Sequence, residues 1–126
     1  MALININYES KTLGMPVMIN AIIPQGRGNY KTLYLLHGMG GDYTTWITKS
    51  RVADYVDNTD IAVIMISGDN KCYVDNVHGR KYFTFLTEEL IEICTNWFGL
   101  SCDRKDRYIA GMSMGGYGAV HAALIK

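Results

Sequence analysis

The chain has 126 residues, a length that allows one domain at most. Twelve Lys and Arg residues balance twelve Asp and Glu residues, so the formal net charge is zero and no basic surface for a nucleic acid is expected. No apolar run approaches the roughly 20 residues that cross a bilayer, and the N-terminus lacks the pattern of a signal peptide, so no membrane partner is expected.

The cysteines, Cys72, Cys94 and Cys102, form no CxxC pair, and no His or Asp lies near them at metal-ligand spacing. Free thiols in a reducing compartment are favoured over a redox or metal role. The sequence therefore predicts a cytoplasmic protein with neither a metal ion nor a cofactor.

The first half of the chain predicts four strands. Residues 3–8 alternate apolar and polar side chains, as a half-buried strand does, and residues 16–23 form a second apolar run. The turn-forming residues 25–29 are predicted to close these two strands into a hairpin. Residues 31–37 and 61–67 are apolar on both faces, which is typical of strands buried inside a parallel sheet.

Helices are predicted between and after these strands. Ser50 is expected to N-cap a helix with one face formed by Val52, Tyr55 and Val56. A longer helix is expected at about residues 82–97, with an apolar stripe at helical spacing formed by Leu86, Leu90, Ile93 and Trp97. The acidic residues expected on its solvated face are Glu88, Glu89 and Glu92. Gly99 is a natural stop for this helix.

A short strand at residues 107–111 and a helix at residues 116–126 complete the predicted order. This order is a β-hairpin followed by β-α-β-α-β-α. It predicts an α/β fold with a mostly parallel sheet and helices on both faces.

Residues 111–115 read GMSMG and fit the G-x-S-x-G pattern. The serine of this pattern sits on a very tight strand-to-helix turn, where Cβ atoms on Gly111 and Gly115 would collide. The helix that follows would place the Met114 N–H where an oxyanion forms. The pattern therefore predicts Ser113 as a nucleophile, and a glycine-rich turn with an incidental serine is the alternative.

Residues 37–41 read HGMGG and directly follow the third predicted strand. Gly38 and Gly40 allow the backbone to bend and aim a donor at a substrate carbonyl, and Met39 is the candidate donor. The stretch lacks the Gly-Lys-Ser/Thr of a P-loop, and Tyr43 stands where a dinucleotide-binding fingerprint needs its third glycine. A plain turn between strand and helix is the alternative.

No histidine is predicted to be the base that activates Ser113. His121 lies eight residues further along the same helix, about 9–12 Å along its axis, and cannot reach the Ser113 Oγ. A hydrogen-bonding role that fixes the oxyanion loop is favoured for His37 over a role as general base. His78 could touch substrate, but a solvated loop position is the default. A serine without a base is a very poor nucleophile.

Three separated motifs resemble the esterase D-like branch of the α/β-hydrolases: YLLHGMGGDYTTW at residues 34–46, GRKY at 79–82 with EEL at 88–90, and IAGMSMGGYG at 109–118. The likeness is greatest to small bacterial tributyrin esterases. The branch also holds S-formylglutathione hydrolases, feruloyl and acetyl-xylan esterases, and mycolyltransferases. The resemblance implies hydrolysis of small short-acyl esters through an acyl-serine, with Ser113 as nucleophile and the N–H groups of Met39 and Met114 as the oxyanion hole.

In that family the catalytic acid and histidine follow the nucleophile on loops after later strands, whereas this sequence ends thirteen residues after Ser113. We therefore expect residues 1–126 to be the N-terminal portion of a single α/β-hydrolase domain, truncated after the helix that follows Ser113. The strand at 107–111 would then be an exposed sheet edge.

Two functions remain open at this point. The first is a serine carboxylesterase whose complete form has a Ser-His-Asp triad. The second is a catalytically inactive fragment or split-protein half that acts as a binding or assembly module. Its partner would be a second copy, in a homo-oligomer, or a complementing C-terminal half.

Overall fold

The computed structural model describes residues 1–26, 28–70 and 72–126. Its strands are β1 (Ala2–Ser10), β2 (Met15–Ile23), β3 (Lys31–Leu36), β4 (Ile61–Ile66) and β5 (Arg107–Gly111). They form one five-stranded sheet in the order β1-β2-β4-β3-β5. β1 and β2 pair as an antiparallel hairpin, β2 is antiparallel to β4, and β3 lies parallel to both β4 and β5. The predicted α/β class with a parallel core is confirmed, and the hairpin adds an antiparallel edge.

The helices are α1 (Thr45–Lys49), α2 (Val52–Val56), α3 (Tyr82–Thr84), α4 (Leu90–Phe98) and α5 (Met114–Ile125). A π-helical turn (Phe85–Glu89) joins α3 to α4, and a 3₁₀ turn (Arg104–Asp106) precedes β5. Gly99 ends α4 in a left-handed conformation, as predicted. α5 begins two residues before the predicted position. Within the described ranges, no helix is long and apolar enough to cross a membrane.

Two apolar clusters cover the two faces of the sheet. α4 and α5 contribute Leu90 and Ala119 to the cluster on one face, while α2 contributes Val52 to the cluster on the other. Neighbouring residues of β3 point to opposite faces, so Leu35 joins one cluster and Leu36 the other. Because each buried aliphatic side chain contributes roughly 1.5–3 kcal/mol, burial on both faces explains the continuous apolar runs of β3 and β4.

The turn that joins β1 to β2 lies at residues 11–14, so the prediction that residues 25–29 close the hairpin is wrong. The Gly14 N–H donates to the Ser10 carbonyl oxygen over 3.0 Å and closes this turn. Residues 25–29, of which Arg27 lies outside the described residues, lead instead from β2 to β3. Since β4 lies between those two strands in the sheet, this connection is not a hairpin turn.

The start of α2 and its buried face also differ from the prediction. The residue before the helix is Arg51, although the Ser50 Oγ does accept a hydrogen bond from the Val52 N–H over 3.2 Å. Val52 is buried, whereas Tyr55 is 75% exposed. α2 has only five residues, so its one buried position anchors it and Tyr55 faces solvent.

The predicted apolar stripe of the long helix holds through Ile93, which packs against the apolar cluster, and is wrong at Trp97. The π-helical turn is closed by a hydrogen bond from the Leu90 N–H to the Phe85 carbonyl oxygen. Such a turn holds one residue more than an α-helical turn, so the side chains that follow are rotated about the axis. Cys94 is therefore the next fully buried side chain, while Ile93 is half-buried and Trp97 is 45% exposed.

Glu89 does not lie on a solvated face, which corrects the prediction for one of the acidic residues of this helix. Its carboxylate accepts four hydrogen bonds from the end of β1 and the turn after it. The donors are the hydroxyl groups of Tyr8 and Ser10, each at 2.6 Å, and the N–H groups of Lys11 and Thr12, each at 3.1 Å. One carboxylate thus fastens the hairpin to the long helix.

These contacts change the acidity of both partners. Partial burial raises the pKa of the Glu89 carboxyl, but the donated hydrogen bonds from Ser10, Tyr8 and the backbone outweigh it and lower the pKa to about 2. The hydrogen bond to Glu89, helped by burial, raises the pKa of Tyr8 to about 12. The folded chain therefore holds Glu89 ionised and Tyr8 protonated.

We expect Glu89→Gln to lower the free energy of unfolding by about 1–3 kcal/mol, because the amide removes one acceptor and the charge that strengthens these hydrogen bonds. Glu88→Gln is the matched control, since Glu88 is exposed on the same helix. Urea unfolding of the wild type and both variants measures the difference. Equal losses in the two variants would contradict the role of Glu89.

The stability that Glu89 contributes should depend on pH. The Glu89 pKa is about 2 in the folded chain and about 4.3 in an unfolded one. The ionised carboxylate therefore stabilises the fold fully above about pH 4.3, and this contribution is lost as the pH falls towards about 2. The difference between the wild type and Glu89→Gln should shrink across that window, and a constant difference would refute the assignment.

Candidate active site

Ser113 lies in the tight turn between β5 and α5. Its backbone has φ 57° and ψ −115°, a conformation that residues other than glycine rarely adopt. The Gly115 N–H donates to the Met112 carbonyl oxygen over 2.9 Å, and the Tyr117 N–H donates to the Ser113 carbonyl oxygen over 3.0 Å. Ser113 itself is exposed. The turn therefore presents the serine to solvent at the carboxyl edge of the sheet.

The glycines on either side of Ser113 are required by space. A Cβ on Gly111 would collide with the backbone of Gly115. A Cβ on Gly115 would lie 2.7 Å from the His37 carbonyl oxygen, and it would also collide with the Leu36 carbonyl oxygen. The N-terminus of α5 thus packs directly against the end of β3.

The glycine-rich loop after β3 lies against the same turn. A Cβ on Gly38 would lie 3.1 Å from the Met112 carbonyl oxygen and 3.6 Å from the Ser113 Cβ. Met39 follows at an exposed position, with 63% of its surface accessible, while Met114 is buried at the start of α5. The structure therefore brings the two predicted glycine-rich segments together beside Ser113.

His37 ties this loop to the segment after β4. The side chain is only 1% exposed. Its Nε2 accepts a hydrogen bond from the Gly68 N–H over 2.8 Å, and its Nδ1 lies 2.6 Å from the Gly38 carbonyl oxygen. The Tyr73 hydroxyl donates to the His37 carbonyl oxygen over 3.1 Å. The predicted hydrogen-bonding role of His37 is confirmed.

Two further hydrogen bonds join the same segments. The Gly40 N–H donates to the Asn70 Oδ1 over 2.7 Å, and the Tyr43 N–H donates to the Ser67 Oγ over 3.0 Å. Sequence reasoning missed Ser67, Asn70 and Tyr73. The available signal was their position after β4, because the carboxyl ends of neighbouring parallel strands meet at one edge of the sheet.

The segment after β4 is unusual in its backbone. Positive φ angles between 51° and 55° occur at Asp69, Asn70, Cys72 and Tyr73. The Tyr73 side chain is fully buried, and burial raises the pKa of its hydroxyl above the ordinary value. Tyr73 therefore stays protonated and remains a donor to the loop after β3.

The three histidines, all within the described residues, do not supply Ser113 with a base. Both ring nitrogens of His37 are already engaged. His121 stacks between Phe83 and Tyr117, with ring centroids 4.5 and 5.8 Å away. His78 is exposed in the loop before α3. In the described part of the chain, no hydrogen bond joins Ser113 to a histidine.

Asp42 directly follows the glycine-rich residues 37–41, and its carboxylate is already hydrogen-bonded to Thr44. Its Oδ1 accepts hydrogen bonds from the Thr44 hydroxyl over 2.5 Å and from the Thr44 N–H over 2.8 Å. These bonds, the hydroxyl first, lower the pKa of the Asp42 carboxyl. Across the described ranges, no three His, Cys, Asp or Glu side chains come together as metal ligands.

Comparison with known proteins places this chain in a family. The family model "Esterase: Putative esterase" matches residues 10–126. An acetyl esterase of Caldicellulosiruptor saccharolyticus is 36% identical over 136 residues, which cover 98% of this chain and 51% of the relative. The chain therefore spans about half the length of the curated relative.

Solved structures give the same result. The fluorophosphonate-binding serine hydrolase FphF of Staphylococcus aureus is 34% identical and superimposes with a TM-score of 0.93, over 98% of this chain and 52% of that one. The S-formylglutathione hydrolase FrmB of the same species is also 34% identical, with a TM-score of 0.88 and the same coverage. The resemblance to esterase D-like hydrolases is confirmed, and this chain belongs to the Esterase family and has the α/β-hydrolase type of fold.

Proposed function

We propose that residues 1–126 carry the nucleophile and the oxyanion hole of a serine carboxylesterase that hydrolyses short-acyl esters, of the tributyrin esterase or esterase D-like type. The observation that carries this proposal is the exposed Ser113, held at a positive φ between β5 and α5, with Gly38 against it. The Ser113 Oγ attacks the ester carbonyl, its proton passes to a base, and the alcohol leaves. Water then hydrolyses the acyl-serine and releases the acid.

The N–H groups of Met39 and Met114 form the oxyanion hole in this proposal. Met114 is the first residue of α5, and the first N–H groups of a helix have no partner within the helix. Met39 follows Gly38, which lies against the Ser113 Cβ. Donors aimed at the developing negative charge are worth a factor of about 10²–10³ each in rate. The acetyl esterase relative supports a small acyl group.

The base and its acid partner come, in this proposal, from a second polypeptide segment that completes the sheet. β5 is an edge strand, and Tyr108 on it is 51% exposed. The apolar residues of α5 exposed to solvent are Tyr117, Val120, Leu124 and Ile125. A helix that is apolar on all sides is typical of one buried on all sides. Residues 1–126 would then be the N-terminal portion of one α/β-hydrolase domain.

A cavity supports the same interpretation. It has a volume of about 570 Å³ and lies between α4, α5 and the free edge of the sheet, with a lining that includes Leu86, Tyr108 and Ala122. Neither Ser113 nor Met39 lines it, so it is not the substrate site of this proposal. We assign it to side chains of the completing segment.

The second candidate function is a catalytically inactive binding or assembly module. The observation that favours it is the same open edge, because β5 and α5 can receive another chain whether or not catalysis follows. The partner is then a second copy or a complementing C-terminal half. Activity of the assembled protein distinguishes the two functions.

The cytoplasmic location expected from the sequence remains part of this proposal. Cys72, Cys94 and Cys102 are free thiols, and burial raises the pKa of Cys94 to about 12, which makes it unreactive. The proposed mechanism uses a side-chain nucleophile and backbone donors, so it needs neither a metal ion nor another cofactor.

We expect the 126-residue chain to hydrolyse p-nitrophenyl acetate very poorly alone and to gain at least about 10³-fold when joined to a complementing C-terminal half. The C-terminal half of the Caldicellulosiruptor acetyl esterase is the probe, either mixed or fused. Ser113→Ala should abolish the gain, because it removes the nucleophile. The C-terminal half alone is the blank.

Two outcomes of this assay would contradict the proposal. Full turnover by the 126-residue chain alone would force His37 or His78 into the role of base. A rate that survives Ser113→Ala in the assembled protein would refute the nucleophile assignment, whereas assembly without any gain in rate would leave the binding or assembly module as the function.

We expect Leu124→Glu to block assembly, because it places a charge on the exposed apolar face of α5, where Leu124 is 79% exposed. Tyr55→Glu is the matched control, since Tyr55 is 75% exposed on α2, across the sheet. Sedimentation of each variant with and without the complementing half, and of the chain alone for self-association, measures the effect. Similar behaviour of the two variants would show that the α5 face is merely solvated.

A further inference from the structure

We infer that Asn70 is a positioning residue for the oxyanion hole: it fixes the peptide on one side of Met39, while His37 fixes the peptide on the other side. The Met39 N–H is thereby held in the direction that an oxyanion on the attacked acyl carbon requires. This inference rests on the proposed esterase function and assigns a role within its site.

The first half of this arrangement follows from the proton on His37. Because Nε2 accepts the Gly68 N–H, it carries no proton, and a neutral imidazole then has its proton on Nδ1. Nδ1 therefore donates to the Gly38 carbonyl oxygen, 2.6 Å away. The Gly41 N–H donates to the same oxygen over 3.1 Å.

The Gly38 carbonyl and the Met39 N–H belong to one planar peptide group. In a trans peptide the C=O and the N–H point in opposite directions, and the described part of the chain contains no cis peptide bond. With the carbonyl held by two donors, the Met39 N–H is directed away from the His37 ring.

The second half concerns the next peptide group. The Gly40 N–H, which belongs to the peptide that follows Met39, donates to the Asn70 Oδ1 over 2.7 Å. Both peptide groups next to the Met39 Cα are therefore anchored, and together they determine the backbone angles of Met39. Without Asn70 the second peptide turns about the Met39 Cα, and the first peptide, which carries the Met39 N–H, is then restrained from one side only.

Packing cannot replace these hydrogen bonds at the end of the loop. Met39 is 63% exposed and Asn70 is exposed. A Cβ on Gly40 would meet nothing within 4 Å. At this open end of the loop, the hydrogen bond from the Gly40 N–H to the Asn70 Oδ1 acts with the bond from the Gly41 N–H to the Gly38 carbonyl oxygen to keep the direction of the backbone.

The test is the reaction of Ser113 with an alkyl fluorophosphonate, followed by intact mass on the 126-residue chain. The Ser113 Oγ–P bond forms, the P–F bond breaks, fluoride leaves, and the hydroxyl proton passes to water. The rate that remains without a base comes from the oxyanion hole and binding. It therefore reports on the donors directly. Varying the probe concentration separates kinact from KI.

Three variants isolate the hydrogen bond. Asn70→Gly removes the acceptor and tolerates the positive φ of 55° at this position, whereas Asn70→Asp keeps the Oδ1 acceptor. Asn58→Gly is the matched control, because Asn58 is an exposed asparagine with φ 61°. Thermal unfolding of all three variants establishes that each is folded under the labelling conditions.

We expect Asn70→Gly to lower kinact about 10-fold, less than the loss of a whole oxyanion donor, with KI within about two-fold of the wild type. Asn70→Asp should retain most of the rate, and Asn58→Gly all of it. Equal rates for the wild type and Asn70→Gly would overturn the role of Asn70. A rate for Asn70→Asp as low as that of Asn70→Gly would overturn it too, because the acceptor would not be the cause.

The proposed function fails differently in the same experiment. A wild-type chain that is not labelled even when it is assembled with the complementing C-terminal half, or a label that survives Ser113→Ala, would overturn the nucleophile assignment and the positioning role with it. Labelling that needs Ser113 but ignores Asn70 would overturn the positioning role alone.

Discussion

The close approach of α5 to the end of β3 is the constraint on which the candidate site depends. Gly115 lies against the carbonyl oxygens of Leu36 and His37, and Gly111 lies against Gly115, so any side chain at either glycine would push the helix away. The rare positive-φ conformation of Ser113 is sustained by this packing and by the hydrogen bonds that close the turn. A residue held in such a conformation costs about 1–3 kcal/mol, which the surrounding structure must offset. The exposed position of Ser113 follows from the same geometry.

The order of the strands places the other parts of the site. Because β3 lies between β4 and β5, the loops after all three strands meet at one edge. The loop after β5 contains Ser113, the loop after β3 contains Met39, and the segment after β4 contributes Asn70 and Tyr73. Hydrogen bonds between the last two loops, together with the buried Tyr73 ring beside His37, define their relative position. The sheet therefore brings together residues that are far apart in the chain.

On its other side, β5 is unpaired and lies beside the exposed apolar face of α5. β1 and β5 are the two edge strands of the sheet, and Glu89 fastens the hairpin at the β1 edge to the long helix. The apolar residues on the outer side of α5 remain in solvent. Water disfavours exposed apolar surface, and an unpaired strand edge readily accepts another strand. Both features support the proposal that further protein adds along β5.

The sequence by itself determined the α/β class, the strand order along the chain and the two glycine-rich segments, because apolar runs and glycine spacing are local signals. Only the tertiary structure decided the rest. Glu89 reads as a surface acid until β1 and its turn bring four donors to it, and the π-helical turn moves the buried position to Cys94. Asn70 follows β4 without any motif of its own. Its contact with Gly40 exists because two parallel strands lie side by side, and pairing between distant segments leaves no periodicity in the sequence.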